Sequence, residues 1–137
     1  MIFEQIATGG CQSYLVGCGE SCAAALIDPE ASQIDRYLAQ AARDGLRIHF
    51  IIDTHTHADH FSASRELARQ LGVPTVMHRA SPARMVDMRV DDGERAVGLA
   101  PEHVGGAGGL VVEQLSEVHG RRRVRSRRGL TSYQVIY

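Results

Sequence analysis

A short apolar run followed at once by a dense polar cluster constrains this sequence more than any other feature. The run, IHFII over residues 48–52, is rich in β-branched residues and is typical of a β-strand buried on both faces. A helical pattern with an apolar stripe follows the cluster, which therefore lies on the loop leaving the carboxyl end of a core strand. Open α/β sheets hold their ligands at that edge. Five side chains in the cluster can bind a cation or move a proton: Asp53, His55, His57, Asp59 and His60.

The spacing within the cluster favours a metal site. His55 and His57 stand two residues apart on an extended segment, so both side chains leave the same side of the chain. Neutral imidazoles placed in this way can share one divalent ion. Asp59 lies two residues beyond His57 and is expected on the same side of the chain, whereas the neighbouring His60 points in another direction. The motif could therefore bind ions at two adjacent positions. The alternative is a solvated polar loop with coincidental histidines, but crowding so many polar groups beside an apolar strand is costly unless they bind something.

The chain up to residue 98 alternates strand and helix patterns. Ser32 and Ser62 are the expected N-caps of two helices, and Gly45 and Gly72 are their expected ends. The order β-β-β-α-β-α-β predicts an α/β layer architecture in which helices cover a sheet. The expected strands lie within residues 2–6, 13–16, 23–27, 48–52, 73–78 and 85–90.

Composition narrows the class of protein. The 137 residues are enough for one domain, and the formal net charge of −1 argues against a general nucleic-acid binder. No apolar stretch approaches the roughly 18 to 20 residues needed to span a bilayer. The start of the chain, MIFEQIATGG, resembles no export signal, so a cytoplasmic location is expected. Three cysteines, an odd count, predict no disulfide framework.

The motif HTHADH, residues 55–60, matches the H-x-H-x-D-H signature and resembles the metallo-β-lactamase superfamily. The similarity extends over roughly residues 1–95 through the segments IFEQI, SYLVG, AALIDPE and GVPTVMH. The sequence of these segments is most similar to the branch that contains persulfide dioxygenases and glyoxalase II-type hydrolases. Within the motif, the small residue Ala58 favours the dioxygenases. The resemblance implies an αββα sandwich, of which this chain would hold only the first half.

The resemblance also implies metal chemistry on a small thiol-derived substrate, either a glutathione conjugate or a persulfide. In a hydrolase, His55 and His57 would hold one Zn²⁺, and Asp59 and His60 a second. In a dioxygenase, one Fe²⁺ would use His55 with a later His and carboxylate, and the other three groups would orient ligands or manage protons. Asp59 is the candidate catalytic residue. The family has a supporting Asp near position 28, although Asp28 alone is typical of a turn before proline.

After about residue 97 the sequence changes character. Residues 1–98 carry nine arginines against thirteen acidic residues, whereas residues 99–137 carry six against three. The resemblance implies that further metal ligands follow here, a His in a G-H-T segment and then an Asp. Neither a G-H-T segment nor an Asp occurs after residue 97, and the later histidines, His103 and His119, do not stand in such a segment. We therefore divide the chain at residue 98 and keep a truncated, inactive metal-binding remnant as an alternative. Six arginines lie within residues 121–128, but without interleaved aromatic residues this arginine run is a poor nucleic-acid site. Homo-oligomerisation is left open.

Overall fold

The computed structural model describes residues 1–97, 110–113 and 131–133, with side chains up to residue 94. A single 3₁₀ turn, Ala31–Gln33, precedes the first helix. The order of elements up to the fifth strand is the predicted β-β-β-α-β-α-β. Along the chain the elements are β1 (Ile2–Ala7), β2 (Gln12–Cys18), β3 (Ala23–Ile27), α1 (Ile34–Arg43), β4 (Arg47–Ile52), α2 (Ser64–Leu71), β5 (Thr75–His78), β6 (Met88–Val90), β7 (Arg95–Val97), β8 (Leu110–Glu113) and β9 (Thr131–Tyr133).

Strands β1 to β6 form one mixed sheet in which the spatial order equals the chain order. β1, β2 and β3 pair antiparallel, and β3 to β6 pair parallel. Antiparallel neighbours can be joined by tight turns, but parallel neighbours need a crossover, and α1 and α2 supply the first two. Because β3 and β4 run in the same direction, the loops after both strands leave the same edge of the sheet. That edge carries the polar cluster.

Strand β4 is buried on both faces, as the apolar run predicts. Ile51 is fully buried on the helix-covered face, in one apolar layer with Tyr37 of α1 and Leu67 of α2. Phe50 and Ile52 point to the opposite face and belong to a second apolar layer. Alternate residues of a strand face opposite sides of the sheet, so this single strand contributes to both layers. The loop that follows β4 therefore starts from a firmly fixed position.

The helix ends agree with the sequence, but the helix starts differ. Gly45 and Gly72 adopt left-handed backbone angles, with φ of +65° and +67°, where glycine avoids the steric cost of a side chain. Ser32 is not the N-cap of α1, because a 3₁₀ turn intervenes and its hydroxyl donates to Glu30 instead. Ser62 lies one residue before the N-cap position of α2, although its hydroxyl still accepts a hydrogen bond of 3.1 Å from the amide of Ser64.

A second sheet follows in the order β7-β8-β9. β7 and β8 pair antiparallel and β8 and β9 pair parallel. The sequence LVVEQL at 110–115 is an apolar run typical of a strand, and β8 lies within it. The described residues do not include His103, His119, the glycine run at 105–109 or the arginine run at 121–128. None of the helices in the described part of the chain is long and apolar enough to cross a membrane. No disulfide joins the three cysteines.

Candidate metal centre

The predicted ligands lie on the loop between β4 and α2, at the carboxyl edge of the sheet. His55 and His57 have ring centroids 4.3 Å apart, and His57 and His60 have ring centroids 4.4 Å apart. The two neighbouring imidazoles therefore converge, as their two-residue spacing predicts. Asp59 lies beside His60, with 3.2 Å between its Oδ1 and the Nδ1 of that ring.

Two overlapping sets of three side chains could each hold an ion. The first is Asp28, His55 and His57, and the second is His57, Asp59 and His60; in each set all the donor atoms lie within 4.8 Å of one another. The structure thus brings together all four residues expected to bind metal. It differs from the expected division in two respects, because His57 belongs to both sets and Asp28 joins the first.

Asp28 organises this loop from the end of the neighbouring strand. Its side chain is almost fully buried and its backbone is left-handed, with φ of +47°. Its carboxylate accepts hydrogen bonds from the amide of Thr54 at 2.8 Å, from the Thr54 hydroxyl at 2.7 Å and from His57 Nε2 at 3.1 Å. Asp28 was expected to be a simple turn residue, so sequence reasoning from the residues alone missed its part in the site. The signal that could have found it is its position at the carboxyl end of the parallel strand next to β4.

These hydrogen bonds determine which nitrogen of His57 can bind a metal. A carboxylate only accepts hydrogen bonds, so the Nε2 of His57 carries the proton that Asp28 receives. A second carboxylate oxygen, Oδ1 of Asp53, lies 3.6 Å from the same Nε2. In neutral imidazole the other nitrogen then has a free lone pair. The Nδ1 of His57 is therefore the nitrogen available to bind a metal.

The opposite assignment holds for His55. The Thr54 hydroxyl has a single proton, which it donates to Asp28, so towards the Nδ1 of His55 at 2.8 Å it can only accept. His55 consequently carries its proton on Nδ1, and its Nε2 is free to bind a metal. Bonds of this kind, which hold the non-ligating nitrogen of a histidine, fix the tautomer and the orientation of the ring in metal sites.

The carboxylates of the loop differ in their electrostatics. Burial raises the pKa of Asp53, and the hydrogen bond from the Ser64 hydroxyl, 2.5 Å long, and the nearby His57 oppose that rise. Asp59 is largely exposed, and the pKa of its carboxyl is lowered by a hydrogen bond from its own backbone amide and by His60. Asp59 therefore keeps an ionised, accessible carboxylate beside the imidazoles.

The donor set fits a transition metal. Imidazole nitrogens with carboxylate oxygens suit Zn²⁺ and Fe²⁺ alike, so the chemistry of these groups does not select between the two. His78 takes no part, since its Nδ1 accepts from the amide of Ala80 and its Nε2 lies 3.6 Å from Asp92. The described residues thus supply a histidine-rich candidate cation site at the end of a core strand.

A mixed α/β sheet with a cluster of candidate ligands at its carboxyl edge is the arrangement expected of a metal-dependent α/β domain. The sequence profile of the metallo-beta-lactamase superfamily matches residues 6–124, and the chain belongs to that superfamily. It is 37% identical over 83 residues to the human mitochondrial persulfide dioxygenase ETHE1, covering 60% of this chain and 32% of that protein. It is 40% identical over 72 residues to the hydroxyacylglutathione hydrolase of Anaeromyxobacter dehalogenans, covering 53% and 27%.

Solved structures show the same fold. The crystal structure of ETHE1 from Myxococcus xanthus superposes with a TM-score of 0.65 at 33% identity, covering 70% of this chain and 43% of that one. A metallo-beta-lactamase from Staphylococcus aureus gives a TM-score of 0.63 at 28% identity, covering 70% and 31%. The chain has the metallo-β-lactamase fold as a partial domain and spans about a third or less of the length of the two curated relatives described above.

Proposed function

We propose that this chain is the metal-binding part of an enzyme that acts on a thiol-derived small molecule, with the oxidation of a persulfide as its reaction. One observation carries the proposal: the hydrogen bonds that His55 and His57 donate to Thr54 and Asp28 leave one free nitrogen on each of these two converging imidazoles. The similarity to persulfide dioxygenases and to a hydrolase of a glutathione conjugate supports the substrate class.

Each residue has a distinct part in this reaction. His55 and His57 would hold the ion, His60 lies beside them in the overlapping set, and Asp28 keeps the His57 ring in place. Fe²⁺, when bound, would supply coordination positions for dioxygen and for the persulfide sulfur. Asp59 is the proposed catalytic residue, because its accessible carboxylate can accept or return a proton at the mouth of the site.

A thioester hydrolase is the second candidate. The observation that favours it is the pair of overlapping donor sets on either side of His57, an arrangement that suits two neighbouring ions. In that case Zn²⁺ would supply Lewis acidity towards the thioester carbonyl, with His55 and His57 holding one ion and Asp59 and His60 holding a second. An inactive remnant that binds metal without turnover is the third candidate, since neither His103 nor His119 stands in a sequence context that matches the family's later ligands. A cytoplasmic location and a homo-oligomeric state stay predictions.

Metal content and turnover separate these candidates. The purified full chain, loaded with Fe²⁺ or Zn²⁺, is expected to retain about one to two equivalents of metal, and a His55→Ala, His57→Ala double variant is expected to retain almost none. His78→Ala, which removes a histidine outside the site, is the matched control and should retain wild-type content. Oxygen consumption with glutathione persulfide would support the dioxygenase, and thioester hydrolysis the hydrolase. Metal retention without either activity would support the inactive metal-binding remnant. A chain that retains no metal would overturn all three candidate functions.

A further inference from the structure

A cavity of about 320 Å³ opens directly beside the metal loop. His55 and His57 line one wall, together with the polar start of α2. The opposite wall is the segment 83–86, between β5 and β6. Its volume is at the lower end of the range for small-molecule sites. A ligand in this cavity would contact the metal loop and the far wall together.

The walls of this cavity carry two arginines without partners. Arg65 of α2 and Arg84 of the segment 83–86 both line it, and neither has a hydrogen bond or ion pair recorded with any described residue. Both side chains are exposed to solvent, and guanidinium groups match the geometry of a carboxylate, so two that share one cavity point to an external anion. Most of the arginine side chains that the structure describes do have partners: Arg36, Arg43, Arg69, Arg79 and Arg89.

The remaining lining of the cavity suits a ligand with an apolar body. Met77 is buried in β5, and Met85 is 64% exposed at the rim. Asp53 is the one acidic side chain among the lining residues, and its Oδ1 already accepts hydrogen bonds from Ser64 and Ser62 at 2.5 Å and 3.3 Å. The negative charge of Asp53 is therefore engaged on the side of the metal loop, and Arg65 and Arg84 stay available for a ligand.

We propose that Arg65 and Arg84 form a carboxylate-binding subsite, which holds the anionic end of a small organic acid while its sulfur end faces His55 and His57. The role of the sulfur end rests on the proposed function, but the recognition of the carboxylate does not. Guanidinium groups bind carboxylates through two parallel hydrogen bonds, which gives orientation as well as affinity. A second cavity of about 890 Å³ shares both arginines, so a ligand longer than the first cavity can extend along α2.

Binding of a non-reactive acid to the metal-free full chain tests this subsite. S-methylglutathione, which carries two carboxylates and no reactive sulfur, is titrated calorimetrically into wild type and variants. Arg65→Gln, Arg84→Gln is expected to bind at least about tenfold more weakly, whereas Arg65→Lys, Arg84→Lys, which keeps both charges, should lose less. Arg47→Gln is the control, because Arg47 is exposed and lines a separate cavity beside the first half of β4. It should bind as wild type does, and circular dichroism verifies that each variant is folded.

Three results would overturn the subsite: no saturable binding to wild type, equal binding to the double glutamine variant, or equal binding of the diethyl ester of the same compound. The metal content of the same preparations keeps the two proposals apart. If the chain binds the acid through its arginines but retains no metal, the proposed function fails and the subsite stands. If the chain retains metal and shows turnover, but the acid binds equally well to the double glutamine variant, only the subsite fails.

Discussion

The Nε2 of His57 donates a hydrogen bond of 3.1 Å to the Oδ1 of Asp28, although 29 residues separate them in the sequence. Parallel pairing of β3 with β4 places Ile27 opposite Ile52, so Asp28 and the metal loop leave the sheet side by side. The contact ties the tautomer of a candidate ligand to the end of a neighbouring strand. The metal site therefore depends on the pairing of two strands as well as on its own loop.

Asp28→Asn is expected to weaken metal binding about 10- to 100-fold, because an amide no longer requires His57 to carry its proton on Nε2. Asparagine tolerates the left-handed backbone at this position, so the change isolates the hydrogen bond from backbone strain. Competition with a chromophoric chelator measures the affinity. Asp87→Asn is the matched control, since Asp87 accepts the same pair of bonds from Thr75 without contacting a histidine. Equal losses in both variants would contradict a specific role for Asp28.

Thr54→Val is expected to lower metal affinity by about tenfold, because its hydroxyl both donates to Asp28 and fixes the proton of His55 on Nδ1. Valine has nearly the same shape, so the packing of the loop is kept. Thr54→Ser restores the hydroxyl and should recover most of the affinity in the same chelator competition. A valine variant with wild-type affinity would show that the hydroxyl does not orient His55.

Gly17→Ala is expected to destabilise the fold by about 1–3 kcal/mol, because an added Cβ would approach Cδ1 of Leu46 to 2.6 Å. Leu46 is buried in the apolar layer beneath the helices, so relief of the clash has to displace packed side-chain atoms. Urea denaturation measures the change. Gly19→Ala is the control, since its Cβ would meet only Ile2, at an ordinary 3.8 Å, and its unfolding free energy should stay near that of wild type.

The lowered pKa of Asp87 predicts that part of the stability of the fold is lost in acid. Hydrogen bonds from the backbone amide and the hydroxyl of Thr75 lower the pKa of Asp87 below its usual 3.8. A carboxyl with a lowered folded-state pKa contributes stability that is fully present above the unfolded value and is lost as the pH falls through the folded one. The difference in unfolding free energy between wild type and Asp87→Asn should therefore be constant from pH 5 to pH 7 and shrink below about pH 4. A difference that grows on acidification would contradict the assignment.

Local patterns were enough to predict the core of the fold and the convergence of the four candidate ligands. The β-branched run of β4, the glycines that end both helices and the two-residue spacing of His55 and His57 each depend on near neighbours in the sequence. Asp28 could not be placed on residue pattern alone, because its role arises from the parallel pairing of β3 and β4. Arg65 and Arg84 were missed for a similar reason, since they share a cavity only after the segment before β6 folds back against α2.

Nitrogen NMR of the histidine rings tests the metal centre most directly. In the metal-free full chain, long-range proton–nitrogen spectra should show the proton of His55 on Nδ1 and that of His57 on Nε2. Addition of Zn²⁺ should then shift the free nitrogens, Nε2 of His55 and Nδ1 of His57, while His78 stays unchanged. Zn²⁺ that shifts neither ring, or that shifts the opposite nitrogens, would contradict the metal site described for this protein.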